Sequence, residues 1–117
     1  MKLNSVFLIL IISIFFCSCR KDKVQVLPPP EECVDTVYFS TQILPLIENN
    51  CIACHSLGNG FEIELTNHAQ ISSNADACFN SMTESGGYTL MPYGGPKLPH
   101  SIIDIFNCWV VQGKLNN

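Results

Sequence analysis

Basic residues are scarce in this 117-residue sequence, and four of the six lie among its first 23 positions. From Val34 onward only Lys97 and Lys114 are basic, whereas seven residues are acidic. Nucleic-acid binding depends on lysine and arginine side chains that neutralise phosphates. The scarcity of such side chains therefore argues against a nucleic-acid partner.

Strand patterns are also missing, because no stretch alternates apolar and polar residues convincingly and no segment repeats. A helix is expected where Ile43, Leu44 and Ile47 share one face, with Ser40 as its N-terminal cap. Pro45 either kinks this helix or marks its first turn, since proline lacks the backbone N–H that a helix interior uses. The chain is therefore predicted to be all-α.

The last helix has the clearest pattern. Ser101-x-x-Asp104 has the spacing of a capping box, and apolar residues recur at intervals of three and four up to Trp109. Gly113 suits the left-handed conformation that ends a helix. Two shorter helices are expected before it, and the proline- and glycine-rich segment 88–99 is expected to be irregular.

The one long apolar run lies at the N-terminus. Val6 to Phe16 is broken only by Ser13 and follows Lys2, but it is too short to span a bilayer. This pattern is typical of an export signal, here residues 1–18. The junction before Cys19 resembles a bacterial lipoprotein signal, which implies acylation of that cysteine. Ordinary signal cleavage and an uncleaved anchor are the alternatives.

Residues 19–33 are the expected lipid anchor and tether. Pro28-Pro29-Pro30 favours an extended polyproline conformation, which acts as a semi-rigid spacer. The exported protein is thus expected to be lipid-anchored in the bacterial cell envelope, on the periplasmic or surface side. Residues 34–117 are the predicted domain, and at this size a large cofactor or a disulfide would help to stabilise the core.

Cys51, Cys54 and His55 form the pattern C-x-x-C-H, which is typical of covalent haem attachment. Two thiols one helical turn apart add across the two vinyl groups of the porphyrin. The adjacent histidine then donates a ring nitrogen to the iron. The sequence therefore predicts one covalent haem c per chain, with His55 as an iron ligand.

Three other interpretations use the same residues. A thioredoxin-like redox pair needs a βαβ setting, which the pattern of the sequence does not provide. A zinc site needs a second pair of ligands, and no other C-x-x-C or H-x-x-x-H pattern follows. A plain disulfide between Cys51 and Cys54 leaves His55 without a role. Haem attachment accounts for all three residues.

Four residues are candidates for the second iron ligand. Met91 lies in a segment whose prolines and glycines fix the backbone without a helix, so its thioether can face the iron opposite His55. Met82 falls inside a predicted helix and is expected in the core. His100 and His68 lie near predicted helix starts, where polar side chains are commonly exposed. Met91 is the predicted ligand, and His100 is the next candidate.

An apolar helix, the C-x-x-C-H pattern, the sequence Met-Pro-x-Gly-Gly at 91–95 and a helix with Trp109 follow one another in this order. This order resembles class I cytochrome c, and more narrowly the short monohaem cytochrome domains of bacterial lipoproteins. The resemblance covers roughly residues 37–117. It implies about four to five helices around one haem, with the first and last helices crossing beside it. It assigns haem attachment or iron ligation to Cys51, Cys54, His55 and Met91.

The resemblance also implies a function. A histidine and a methionine on the iron fill both of its faces, which keeps small molecules away, and ligation by this pair raises the reduction potential; both effects favour electron transfer over catalysis. An electron carrier is therefore expected, and not an enzyme. A haem-based redox or gas sensor and an accessory haem subunit of a separate oxidoreductase are the alternatives. The acidic excess favours a redox partner with a basic docking patch, and it fits equally well a surface that serves solubility alone.

Three cysteines remain besides the haem and lipid sites: Cys33, Cys78 and Cys108. In an oxidising compartment one pair of them can close. Cys78 and Cys108 lie on predicted helices at positions where an apolar residue would otherwise pack, so this pair is the predicted disulfide. The first and last helices cross in the resembled family, which makes Cys33 with Cys108 the competing pair.

Overall fold

The computed structural model describes residues 33–117. The export signal predicted at 1–18, the lipidation of Cys19 and almost all of the predicted tether lie outside the described residues. Residues 33–117 contain helices and loops but no strands, which confirms the all-α prediction for this part of the chain. None of the helices described there is long and apolar enough to cross a membrane.

One π-helical turn and five α-helices follow one another along the described chain. They are the π turn Phe39–Ile43, α1 Leu44–Asn50, α2 Ile52–His55, α3 His68–Ser73, α4 Ala75–Thr83 and α5 His100–Val111. The segment between α4 and α5 has no regular structure, as its prolines and glycines predict.

The first helical segment starts with the π turn and continues into α1. Pro45 lies in the first turn of α1, directly after the π turn, which ends with the Leu44 N–H donating to the Phe39 carbonyl. The prediction that Ser40 caps this segment is wrong, because the helical turn begins at Phe39 and Tyr38 stands at the N-cap position, two residues before Ser40. The Tyr38 N–H donates instead to Oε1 of Gln42 at 2.8 Å, which satisfies one of the free donors at this end.

The core lies where α5 packs against the π turn and α4. Trp109 and Phe106 of α5 are fully buried, and so is Ile43 of the π turn. The indole N–H of Trp109 donates to the carbonyl of Leu115 at 2.9 Å, so burial of this ring leaves no donor unpaired. The predicted apolar face of the last helix is confirmed at Trp109 and Phe106.

The two ends of α5 differ from each other in how well they follow the sequence pattern. Gly113 has φ +93°, and its N–H donates to Val110, which confirms the predicted left-handed end of the helix. The predicted capping box is wrong. Pro99 stands at the N-cap position and has no side-chain hydrogen bond, so Ser101 already lies inside the first turn.

The disulfide of the described chain joins Cys33 to Cys108, with Cα atoms 5.5 Å apart. The predicted pairing of Cys78 with Cys108 is therefore wrong, and the competing pair is correct. The reason is the path of the N-terminal segment, which runs beside the end of α5. Gln112 accepts from the Val37 N–H at 2.8 Å and donates to the Asp35 carbonyl at 2.8 Å.

Candidate functional site

A cavity of about 580 Å³ opens in the surface of the described domain. Its walls come from α2 and the loop that follows, from α4, and from the irregular segment before α5. The lining side chains are mostly aliphatic, aromatic or sulfur-containing, and none of those described is Asp, Glu, Lys or Arg. The volume lies in the range of cavities that hold organic ligands and cofactors.

The three residues of the C-x-x-C-H pattern line this cavity together. Cys51 directly precedes the short helix α2, which carries Cys54 and His55. The N–H groups of these two residues donate to the Cys51 carbonyl at 3.1 and 2.9 Å. Both thiols are unpaired, Cys54 being exposed and Cys51 half-buried. The helical turn therefore presents two thiols and an imidazole to one apolar space.

His55 is oriented by a backbone carbonyl. Its Nδ1 lies 2.9 Å from the carbonyl oxygen of Ile63. Because a carbonyl oxygen only accepts hydrogen bonds, this contact places the proton on Nδ1 and leaves Nε2 with a free lone pair. The Leu65 N–H donates to the His55 carbonyl at 2.9 Å, so two hydrogen bonds join the loop to His55. Such a histidine is prepared to bind a metal through Nε2.

Met91 lines the same cavity from the irregular segment. Its N–H donates to the Ser81 carbonyl of α4 at 3.0 Å, which fixes the segment against that helix. The chain then turns, and the Gly95 N–H donates to the Pro92 carbonyl at 3.1 Å. The predicted thioether and the predicted histidine are thus at one site.

The other three candidates for the second ligand lie in different places. Met82 lines the cavity too but is 2% exposed and belongs to the core. His68 packs edge-on against Phe39, and its Nε2 is 2.8 Å from the carbonyl of Lys114. His100 is an exposed residue at the start of α5. Neither of these two histidines lines the cavity.

The cavity holds a third unpaired cysteine, Cys78 of α4. Burial raises the pKa of the Cys51 thiol from 9.0 to about 11. Burial and then the nearby charge of Cys51 raise the pKa of the Cys78 thiol from 9.0 to about 12. Both thiols therefore stay protonated at neutral pH.

Two features of the site were not predicted from the sequence. The Ile63 carbonyl is a backbone group, and no side chain marks it in the sequence. The exposed rings of Phe61, Tyr88 and Tyr93 also line the cavity, and they come from two segments that are distant in sequence. Their common position depends on the tertiary fold.

Within residues 33–117, no three His, Cys, Asp or Glu side chains form a group that could hold a metal ion. Comparisons with protein-family models, with curated proteins and with solved structures find no match for the chain.

Proposed function

We propose that this protein transfers electrons through one haem c, attached covalently at Cys51 and Cys54. His55 and Met91 are the proposed iron ligands, and a lipid on Cys19 is the proposed membrane anchor. One observation carries the proposal: both thiols, the histidine and the methionine line a single, mostly apolar cavity.

The donor set fits this group chemically. Thioether formation needs free thiols, and Cys51 and Cys54 are both unpaired. Iron ligation by histidine needs a ring nitrogen with a free lone pair, and the hydrogen bond from Nδ1 to Ile63 selects the tautomer of the neutral ring in which Nε2 is that nitrogen. A methionine thioether is a known second ligand of haem iron, and it needs no ionisation.

The fold supports the same proposal. We infer a small class I cytochrome c fold, in which the first and last helices cross beside the haem. The π turn Phe39–Ile43, which opens the first helical segment, contacts α5 in this structure. Cys51 follows directly after α1, so the packing of the first segment against α5 also sets the position of the attachment site.

A bound haem would supply one-electron oxidation and reduction at its iron, and the surrounding residues would set the reduction potential. The Ile63 carbonyl holds the His55 ring and makes its free nitrogen more basic. The mostly apolar lining would limit the access of water to a bound haem and would disfavour the additional positive charge of the ferric state. A thioether from Met91 would fill the remaining face of the iron and raise the reduction potential further.

The test is a redox titration followed by optical spectra. The full chain is produced with a haem-ligation system, purified, and cycled between oxidant and reductant. We expect a reversible one-electron change, and we expect carbon monoxide to leave the reduced spectrum unchanged because both faces of the iron are filled. A purified protein without a haem spectrum would overturn the proposal. A spectrum that shifts with carbon monoxide would favour the sensor instead.

A further inference from the structure

The segment that carries Met91 is bound at two points to the end of α4. The last four carbonyls of an α-helix have no partner inside the helix. Two of those of α4 accept from this segment: Ser81 accepts from the Met91 N–H at 3.0 Å, and Thr83 accepts from the Lys97 ammonium at 3.1 Å. Both contacts therefore join residues 91–97 to the same helix end.

The chain makes a tight turn between these two contacts. The Gly95 N–H donates to the Pro92 carbonyl at 3.1 Å. Directly after Lys97, Leu98 is buried and lines the cavity. The turn is thus held by a backbone hydrogen bond on one side, and by the Lys97 side chain and the burial of Leu98 on the other.

The charge of Lys97 suits its position. The carbonyl end of an α-helix carries a partial negative charge, so a cation there is favourable by an amount equal to about a two- to fivefold change in an equilibrium constant. Lys97 is an exposed residue and does not line the cavity. It can therefore act on the cavity only through the segment that it holds.

We propose that Lys97 is a positioning residue for Met91. Its ammonium fastens segment 91–97 to the end of α4, and this keeps the thioether of Met91 at the cavity. The role of that thioether as an iron ligand rests on the proposed function. The attachment of the segment by Lys97 concerns the protein alone.

The attachment is tested by amide hydrogen exchange, followed by NMR, in the full-length, haem-free chain. The Met91 N–H exchanges when its hydrogen bond to Ser81 opens, so its exchange rate reports how often the segment opens. We expect this rate to be about two- to fivefold higher in Lys97→Ala than in the wild type. Lys97→Arg should stay close to the wild type, because arginine keeps both the charge and the donors.

The Leu65 N–H is the internal control for a general loss of stability. It donates to the His55 carbonyl, in a part of the cavity wall that segment 91–97 does not form, so its exchange should not change in Lys97→Ala. Equal exchange at Met91 in Lys97→Ala and the wild type would overturn the inference. Equal acceleration at Met91 and Leu65 would overturn it too, because the effect would then be global.

The consequence for the iron is tested in the ferric haem protein by titration with imidazole, which has to displace the thioether. We expect Lys97→Ala to lose the weak far-red band of methionine sulfur on iron at an imidazole concentration about two- to fivefold lower than the wild type. Lys114→Ala removes the other lysine of the described chain and should behave as the wild type.

Equal imidazole midpoints in Lys97→Ala and the wild type would overturn this second part. An equal shift in Lys114→Ala would also overturn it, since loss of charge alone would then explain the result. If the wild type carries no haem or lacks the far-red band, the proposed function fails, while the amide exchange still decides whether Lys97 holds the segment.

Discussion

At the scale of single residues, the two proposed iron ligands are each positioned by one backbone hydrogen bond. The His55 ring is held by the Ile63 carbonyl, and the Met91 backbone is held by the Ser81 carbonyl of α4. Each bond comes from a different wall of the cavity, so both ligands are positioned by the fold before any cofactor binds.

Replacement of Met91 by alanine tests the second ligand. We expect the variant to lose the weak far-red charge-transfer band that is typical of methionine sulfur on ferric iron, and to have a lower reduction potential. Met82→Leu is the matched control, because leucine keeps the volume of this 2%-exposed core residue. A band that is lost in Met82→Leu and retained in Met91→Ala would show that the ligand is Met82.

The buried thiols predict a pH dependence of stability in the haem-free protein. The pKa values of Cys51 and Cys78 are raised by burial from 9.0 to about 11 and about 12. Above about pH 9 the unfolded chain loses these protons before the folded chain does, so stability falls as the pH rises. Urea unfolding on both sides of pH 9 measures this slope.

Serine does not ionise in this range, so Cys78→Ser is the control for the pH dependence. Above about pH 9, we expect the unfolding free energy of Cys78→Ser to decrease less steeply with pH than that of the wild type. Identical slopes in the two proteins would contradict the prediction, because they would mean that burial does not raise the pKa of Cys78 in the folded protein.

At the scale of elements, the N-terminal segment is held against the end of α5. Gln112 binds the backbone at Asp35 and Val37. Asn117 binds the N–H groups of Phe39 and Ser40 at 2.8 and 2.9 Å. These hydrogen bonds join residues about 75 positions apart, and they close the first and last parts of the described domain onto each other.

The disulfide reinforces this closure, since it joins cysteines 75 positions apart. In the chain-entropy model a loop of this length gives about 4 kcal/mol, and native disulfides of small exported domains contribute about 2–5 kcal/mol. The variant Cys33→Ser/Cys108→Ser is expected to lose stability in this range in urea unfolding. An unfolding free energy equal to that of the wild type would show that the hydrogen bonds alone hold the segment.

The two ends of α5 and the disulfide show which features of this fold could be predicted from the sequence. The end of α5 was predicted because Gly113 needs a left-handed conformation, which is a local property. The disulfide was assigned wrongly because the approach of Cys33 to Cys108 depends on long-range packing. The capping box at Ser101 was wrong because Pro99 starts the helix earlier than the polar spacing suggests.

At the scale of the whole molecule, one cavity of the described domain is lined by both C-x-x-C thiols, by the adjacent histidine and by Met91. The C-x-x-C-H pattern and the Met-Pro-x-Gly-Gly sequence at 91–95 made these four residues predictable as candidates, because both patterns are typical of haem attachment and iron ligation. The Ile63 carbonyl and the position of Cys78 could not be predicted. Both depend on how the loop and α4 surround the cavity.

The proposed membrane attachment would depend on Cys19, which lies outside the described part of the chain. Cys19→Ala is expected to release the protein into the soluble fraction or to block its processing, because the acylated thiol would be the anchor. Cys17→Ala is the matched control and should still incorporate a radiolabelled fatty acid. Membrane association of Cys19→Ala at the wild-type level, with no labelling of the wild type, would indicate an uncleaved signal helix.

The most direct test of the central proposal is the mass of the denatured protein. The full-length wild type and Cys51→Ala/Cys54→Ala are each produced with a haem-ligation system, denatured in acid, and freed of non-covalent haem. Because thioether bonds survive unfolding, we expect the wild type to retain the mass of one haem and the double variant to retain none. A wild type without added mass, or a double variant that still carries haem covalently, would contradict the proposed site.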